Sequence, residues 1–505
     1  VPTQPTVPTE PTTTVWVFGD QLNRTIGPLA DAHPGTHRIL LVESAEHLGR
    51  RPWHRQRAHL FLAGMRRLAG ELAADGFAVD LRRAPTYAAG LAAHRDELRP
   101  GRVVAMAPSS HGGRRLLERL GVEQAPDDRF LTDVAEFEAL FAGKARRTME
   151  TFYRWQRRRL GYLMDGDEPA TGRWNYDEEN RKALPRGGVD FPDPVVDAPD
   201  EIDRAVVADL PAGTVGAEPV GLWPTSRRAA LERLRHAIED VLPGFGPYED
   251  AMTTASWHLS HTLLSPALNL GLLHPREVAD AIEAAYRSGA VGIASAEGLL
   301  RQVIGWREFV WCTYWSEGPD YLARNELDAH RPLPPAFTGA PTEMACLRHV
   351  LADVEAYGWT HHIPRLMVLG NLALLAGVAP GELMAWMWER FVDGAEWVMA
   401  PNVIGMSQWA DGGRMATKPY AAGGAYIGRM GDFCRGCRFD RTKRTGEDAC
   451  PFTTLYWDFL ARHADRLAGN HRMARQVASA RRLADLDAVR ARAAEVLGRL
   501  DAGAL

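Results

Sequence analysis

Cys434-x2-Cys437-x12-Cys450-Pro451 constrains what this chain can fold into more than any other feature of its sequence. Two thiolates separated by two residues can chelate one metal centre. The stretch from Asp432 to Cys450 holds Gly, Arg, Lys and Asp with little hydrophobic periodicity, so a bound centre rather than packing must organise it. A fourth ligand has to come from Cys346 or Cys312, the other two of the five cysteines. Cys312 sits in the apolar run Phe309-Val-Trp-Cys-Thr-Tyr-Trp315 and reads as an inert buried thiol, which favours Cys346. Zinc ribbons usually supply two close pairs. One close pair and two distant cysteines, with proline after the last, suit a [4Fe–4S] cluster equally well. The spacing alone leaves zinc and iron–sulfur open.

The rest of the chain divides by pattern. Val15 to Phe18 and Ile39 to Val42 are short apolar runs, and a helical pattern follows from Trp53 to Ala74. Phe77 to Leu81 and Arg102 to Ala107 read as further strands. Strands alternating with helices imply a parallel sheet with ligands at the strand C-terminal ends, where Asp20, Glu43 and Glu46 fall. From Pro185 to Trp223 the periodicity disappears, as in a long surface connection. After Thr225 the pattern is helical to the C-terminus, and 471–499 reads as one or two closing helices. The expected layout is a disordered tail (1–14), an α/β domain (15–150), an interdomain segment and linker (151–224) and a helical domain (225–505).

At 505 residues, two or three domains are the default. Residues Val1 to Thr14 are Pro/Thr-rich without a basic or apolar leader pattern, and no apolar run approaches the ~20 residues that span a bilayer. A cytoplasmic protein with no membrane partner is expected, and a monomer. A net charge of −5 argues against coating DNA non-specifically, but a local basic face can still contact phosphates. Arg154-x2-Arg157-Arg-Arg159 and Arg441-x-Lys443-Arg444 are the candidates for it.

Three stretches of the helical half have the character of an enclosed cofactor site. His261-Thr-Leu-Leu-Ser-Pro-Ala-Leu-Asn-Leu-Gly271 is a hydroxyl-rich helix start able to hold a phosphate. Arg301-Gln-Val-Ile-Gly-Trp-Arg-Glu-Phe309 interleaves Arg and Gln with aromatics. Glu396-Trp-Val-Met-Ala-Pro-Asn-Val-Ile-Gly-Met-Ser-Gln-Trp409 is apolar yet broken by Pro401, Asn402 and Gly405. Each alone also suits an ordinary cap, a salt-bridged face or a packed core.

Together with Gly19-Asp-Gln-Leu22, Gly172-Arg-Trp-Asn-Tyr-Asp177, Trp359-Thr-His-His-Ile-Pro-Arg-Leu-Met367 and Thr417-Lys-Pro-Tyr420, these blocks resemble the photolyase/cryptochrome superfamily. The similarity is to its iron–sulfur bacterial branch, whose characterised members include (6-4) photolyases. The resemblance implies a Rossmann-like α/β antenna domain, a long linker and an all-α FAD-binding domain carrying a [4Fe–4S] cluster. It implies Cys346, Cys434, Cys437 and Cys450 as cluster ligands. It implies FAD contacts from His261, Thr262, Leu263, Leu264, Ser265, Asn269, Gln302, Trp306, Arg307 and Asn402. A 6,7-dimethyl-8-ribityllumazine antenna is implied at Asp20 and at Glu46 in preference to Glu43.

The implied activity is light-driven repair of (6-4) photoproducts in UV-damaged DNA by an electron from photoexcited reduced FAD. The lesion is flipped out of the duplex, and a proton is supplied by His362 or His361, with Tyr420 and Asp250 beside them. Where related chains carry aromatic electron carriers, this one has Phe337 and Met387, so Trp386 with Trp388 or Trp397 is the expected electron route. The alternative readings are a cryptochrome photoreceptor with the same cofactors, or a zinc-stabilised DNA-binding module.

Overall fold

The structure is a computed structural model that describes residues 12–185 and 187–505. Most of the expected tail, residues 1–11, lies outside the described residues. The first strand, β1 (Thr13–Trp16), opens inside the stretch read as a tail, because Thr13 and Thr14 continue the pairing of the apolar run. It is followed by β2 (His37–Ser44), β3 (Ala78–Ala84), β4 (Arg102–Met106) and β5 (Glu123–Ala125). They form one parallel sheet in the order β3-β2-β1-β4-β5. Ile39, Leu40, Leu41 and Val42 of β2 are all fully buried, as an inner strand covered by helices on both faces requires. The edge strand β3 runs three residues past the expected Leu81. Arg82 there binds Asp80 and Glu97, and Arg83 binds Asp209.

In this order the chain reverses direction across the sheet between β1 and β4. The crevice outside their C-terminal ends is where open parallel sheets bind ligands. Asp20 follows β1 and Ser109 follows β4, and the Ser109 hydroxyl donates to Asp20 Oδ2 at 2.8 Å across that crevice.

The long connection is not devoid of structure. Glu201–Asp209 is an α-helix started by a capping box, in which the Asp200 and Asp203 side chains each accept from the other's end of the first turn. It docks on the Arg55–Ala74 helix: Val206 packs with Leu62 and Ala63, while Arg67 grips both Asp200 and Asp203. Apolar periodicity missed it because Ile202 and Val206 are its main inward anchors. Asp200→Ala is expected to cost about 1 kcal/mol, read as a lowered denaturant midpoint with unchanged slope.

From Arg227 onward the described residues are helical and irregular, with no named strand. The expected closing segment is two helices, Ala474–Arg481 and Leu486–Asp501, the second packed on Pro451–Arg462. Among the described residues, π-helical turns occur at Ala237–Val241, Arg301–Trp306, Pro364–Gly370 and Ala400–Ser407. Such wide turns are rare and concentrate at functional sites. Three of the four carry or adjoin the residues singled out from sequence, namely Gln302 and Trp306, His361 and His362, and Asn402. Among the described residues no helix is long and apolar enough to cross a membrane.

Candidate active site

The centre of the helical half is built around Asp393, which sequence reading passed over. Arg365 grips its carboxylate with two bonds of 2.9 and 3.0 Å, and the Ser265 hydroxyl donates to it at 2.7 Å. The amide of Asn269 donates to the Asp393 carbonyl at 2.8 Å. Asp393 therefore ties the His261–Gly271 block to the histidine block through one buried carboxylate. Its signal in the sequence was slight, an Asp-Gly turn between two helices. Upstream of Ser265 the backbone is strained, since Leu259 and Leu263 both adopt left-handed φ values of 47° and 56°. The Ser265–Asn269 helix is only five residues long, so the expected helix start is a single turn rather than an extended phosphate-binding terminus.

Above this pair lie three imidazoles. His261 and His361 stack at 4.4 Å with their rings 21° apart, and His362 meets His261 edge-on at 5.7 Å. His361 is buried, whereas half of the His362 side chain is exposed. The two neighbours thus point to different environments, as adjacent helical residues must. His362 Nε2 lies 3.2 Å from Asp250 Oδ1, and Asp250 in turn faces Arg181 at 3.7 Å. Burial pulls the His362 imidazolium down, but the hydrogen bond and charge of Asp250 outweigh it, so its pKa is raised. Burial, with the neighbouring histidines, drives His261 and His361 well below the ordinary imidazole value and keeps both neutral. Tyr420 is pushed up by burial and lies within electrostatic reach of Arg181 and Asp250. Gln302 donates to Glu249 at 2.8 Å, and burial lifts that carboxyl to about 8. Glu249 and Arg181 were missed; the acidic pair Glu249-Asp250 was their one sequence signal.

The remaining FAD candidates sit around these groups. Thr262 and Trp306 are half-buried, Leu264 is buried, and Asn402 donates back to the Val398 carbonyl at 2.8 Å. Arg307 packs over Phe130 and Trp397. In the histidine cluster the buried Nε2 atoms of His261 and His361 have no hydrogen-bond partner, nor has Nε1 of the adjoining Trp359. An unsatisfied buried donor or acceptor costs about 1–3 kcal/mol, so such groups point to something that fills the space beside them.

At the sheet crevice, burial alone would raise Asp20, but Arg129 at 2.9 Å and Ser109 hold it below its ordinary value. The two glutamates separate clearly. Glu43 is buried and clamped by Arg66 at 2.7 and 2.9 Å, while Glu46 is exposed in the first turn of Ala45–Gly49 near Arg50.

The aromatic candidates face different ways. Trp386 is buried edge-on against Phe337 at 5.0 Å and donates to its carbonyl. Trp388 instead meets Trp53 at 6.0 Å beneath Arg51, and Trp397 packs on Trp311 and Phe130.

The structure also gathers Cys346, Cys434, Cys437 and Cys450, all unpaired, and leaves Cys312 elsewhere. Burial, followed by the other three thiols, pushes Cys346 well up. Gly424 makes this approach possible, because a Cβ there would come within 2.8 Å of the Cys450 sulfur.

Most members of the two basic runs bond to neighbouring groups of the protein, but only Arg157 is fully buried. Arg157 is fully buried on the carbonyls of Tyr162, Leu163 and Trp174, and Arg154 pairs with Glu150. Arg441 donates to the Gly428 carbonyl at 3.3 Å, Lys443 pairs with Asp448 and Arg444 with Asp485. Of the first run, Arg158 is left lying over Trp174 at 4.4 Å.

A (6-4) photolyase of Agrobacterium fabrum is 38% identical over 508 residues, covering 96% of this chain and 99% of that protein. The chain belongs to the DNA photolyase family. The family model "Deoxyribodipyrimidine photo-lyase-related protein" matches residues 15–216, which take in strands β2 to β5 and the second half of β1. A crystal structure of a bacterial class III photolyase from Agrobacterium tumefaciens superposes with a TM-score of 0.60 at 16% identity, over 98% of both chains. An uncharacterized mimivirus protein is 29% identical over 103 residues, 20% of this chain and 76% of its own length. In this photolyase the Arg365–Asp393 pair is a structural joint as well as a site feature. Arg365→Met leaves Asp393 buried without its counter-charge, and is expected to destabilise the fold by about 3–5 kcal/mol, measured by denaturant unfolding.

Proposed function

We propose that the protein repairs (6-4) photoproducts in UV-damaged DNA under light, with FAD held in the helical half. The observation that carries this reading is the coupled pair His362–Asp250 beside the buried His261–His361 stack. On this reading His362, its pKa raised by Asp250 and its side chain half-exposed, serves as the proton donor. The unpartnered Nε2 atoms of His261 and His361 suit a polar ligand beside them. A reduced, light-excited flavin supplies one electron to the lesion.

The side chains do the rest. His362 holds the proton that a (6-4) rearrangement must move between the two bases, and Asp250 keeps the imidazole charged and oriented. Tyr420 and Arg181 border the same mouth and orient the flipped nucleotides. Gln302, Ser265, Asn269 and Asn402, with the Arg365–Asp393 pair, surround the FAD. Trp386, with Trp388 or Trp397, carries electrons to it. Cys346, Cys434, Cys437 and Cys450 hold a [4Fe–4S] cluster, and Asp20 with Glu46 holds a ribityllumazine at the sheet crevice.

Illumination of the fully reduced protein with an oligonucleotide carrying one (6-4) lesion is the direct test. Chromatographic recovery of the two intact pyrimidines is expected. A lesion that binds but stays unchanged under light rejects repair and leaves the photoreceptor reading.

A further inference from the structure

We propose that His261, His361 and His362 form a binding site for a divalent d-block cation, of which zinc is the natural probe, and that the cation competes with the lesion. Their ligand atoms all lie within 4.8 Å of one another. Tetrahedral zinc with 2.0–2.1 Å bonds needs nitrogens roughly 3.3 Å apart. Closing the remaining distance takes a turn of the half-exposed His362 ring about its side-chain bonds.

Two further observations point to a ligand rather than a packed cluster. His261 Nε2 and His361 Nε2 are buried without a partner. Their rings stack at 4.4 Å, 21° apart, within this cluster. His261 and His361 are held neutral by burial, the state a metal requires, and binding to His362 displaces the proton that Asp250 favours there. Asp250 bonds the third ring, and a carboxylate on a ligating histidine is the usual outer support of such sites. Glu249 and Arg365 complete the charged surroundings, and Asp393 already neutralises Arg365. Three imidazoles select zinc, copper or nickel over magnesium or calcium, which prefer oxygen. With three protein ligands the cation keeps an open fourth position for water. Metal binding stands on this geometry alone; competition with the lesion rests on the repair reading.

The test uses the holoprotein freed of loose metal by dialysis against EDTA. Zn²⁺ is added in the dark without DNA, and uptake is read by competition with a chromogenic zinc indicator while iron content is followed. One equivalent bound reversibly is expected in the wild type. His361→Asn and His362→Asn should each weaken it at least about 10-fold, and Asp250→Asn, which keeps all three rings, by about 10–100-fold. Affinity unchanged in both histidine variants overturns the site, as does uptake matched by iron release. So does a wild type that takes up no more zinc than the variants. Repair inhibited by zinc and restored by EDTA then supports competition; zinc bound with repair unaffected rejects it without touching the repair reading.

Discussion

Cys450→Ala is expected to abolish the proposed cluster and to destabilise the helical half by more than about 4 kcal/mol, the range reached when a structural metal is lost. Cys346 lies one residue into the Ala345–Tyr357 helix, Cys450 caps Pro451–Arg462, and Cys434 and Cys437 belong to the irregular segment between Gly424–Met430 and that cap. A centre held by all four joins elements that few other contacts organise, so its binding energy becomes folding energy. Iron and acid-labile sulfide analysis with denaturant unfolding measures both effects. Cys312→Ala is the control: it removes a buried thiol remote from the other four, and about 1 kcal/mol with unchanged iron is expected. A Cys450→Ala protein with full iron content sinks the cluster assignment, and stoichiometric zinc in the wild type replaces it.

His362→Ala is expected to lower repair by roughly 10²–10⁴-fold while flavin content stays unchanged, because His362 stands at the mouth and not within the Asp393 joint. The pH dependence has a definite sign. Asp250 raises the His362 pKa, so the charged donor dominates below that value and is lost as pH rises through it. Repair per flash should therefore hold on the acid side and decline on the alkaline side. In Asp250→Asn the pull upward is removed, leaving burial, and the alkaline limb should move to lower pH. A limb that stays in place after this substitution assigns the proton to another group.

Much of the architecture was legible in the sequence for direct physical reasons. The β2 run is buried on both faces, so it is continuously apolar and stands out without an alignment. The Arg55–Ala74 helix shows its 3.6-residue period because one side packs on the sheet. The helix in the connection was invisible, since two apolar anchors and a polar capping box carry little periodicity. Of the basic runs, Arg157 alone is taken wholly into the interior. Charge is readable from sequence, but whether an arginine meets solvent or a buried carbonyl depends on what folds against it.

The same division holds at the cysteines where the chain's constraint is sharpest. Spacing named Cys434, Cys437 and Cys450 as one group, because residues a few positions apart cannot be far apart in space. Sequence also supplied the chemistry of His361-His362 and, by resemblance, Asp250. Tertiary structure alone brought Cys346 to the other thiols, set Asp250 on His362, and made Asp393 the joint between Ser265 and Arg365. Those partners lie far apart in sequence, 112 residues from Asp250 to His362 and 128 from Ser265 to Asp393. No local pattern encodes such distances; only the packing of the helices fixes them.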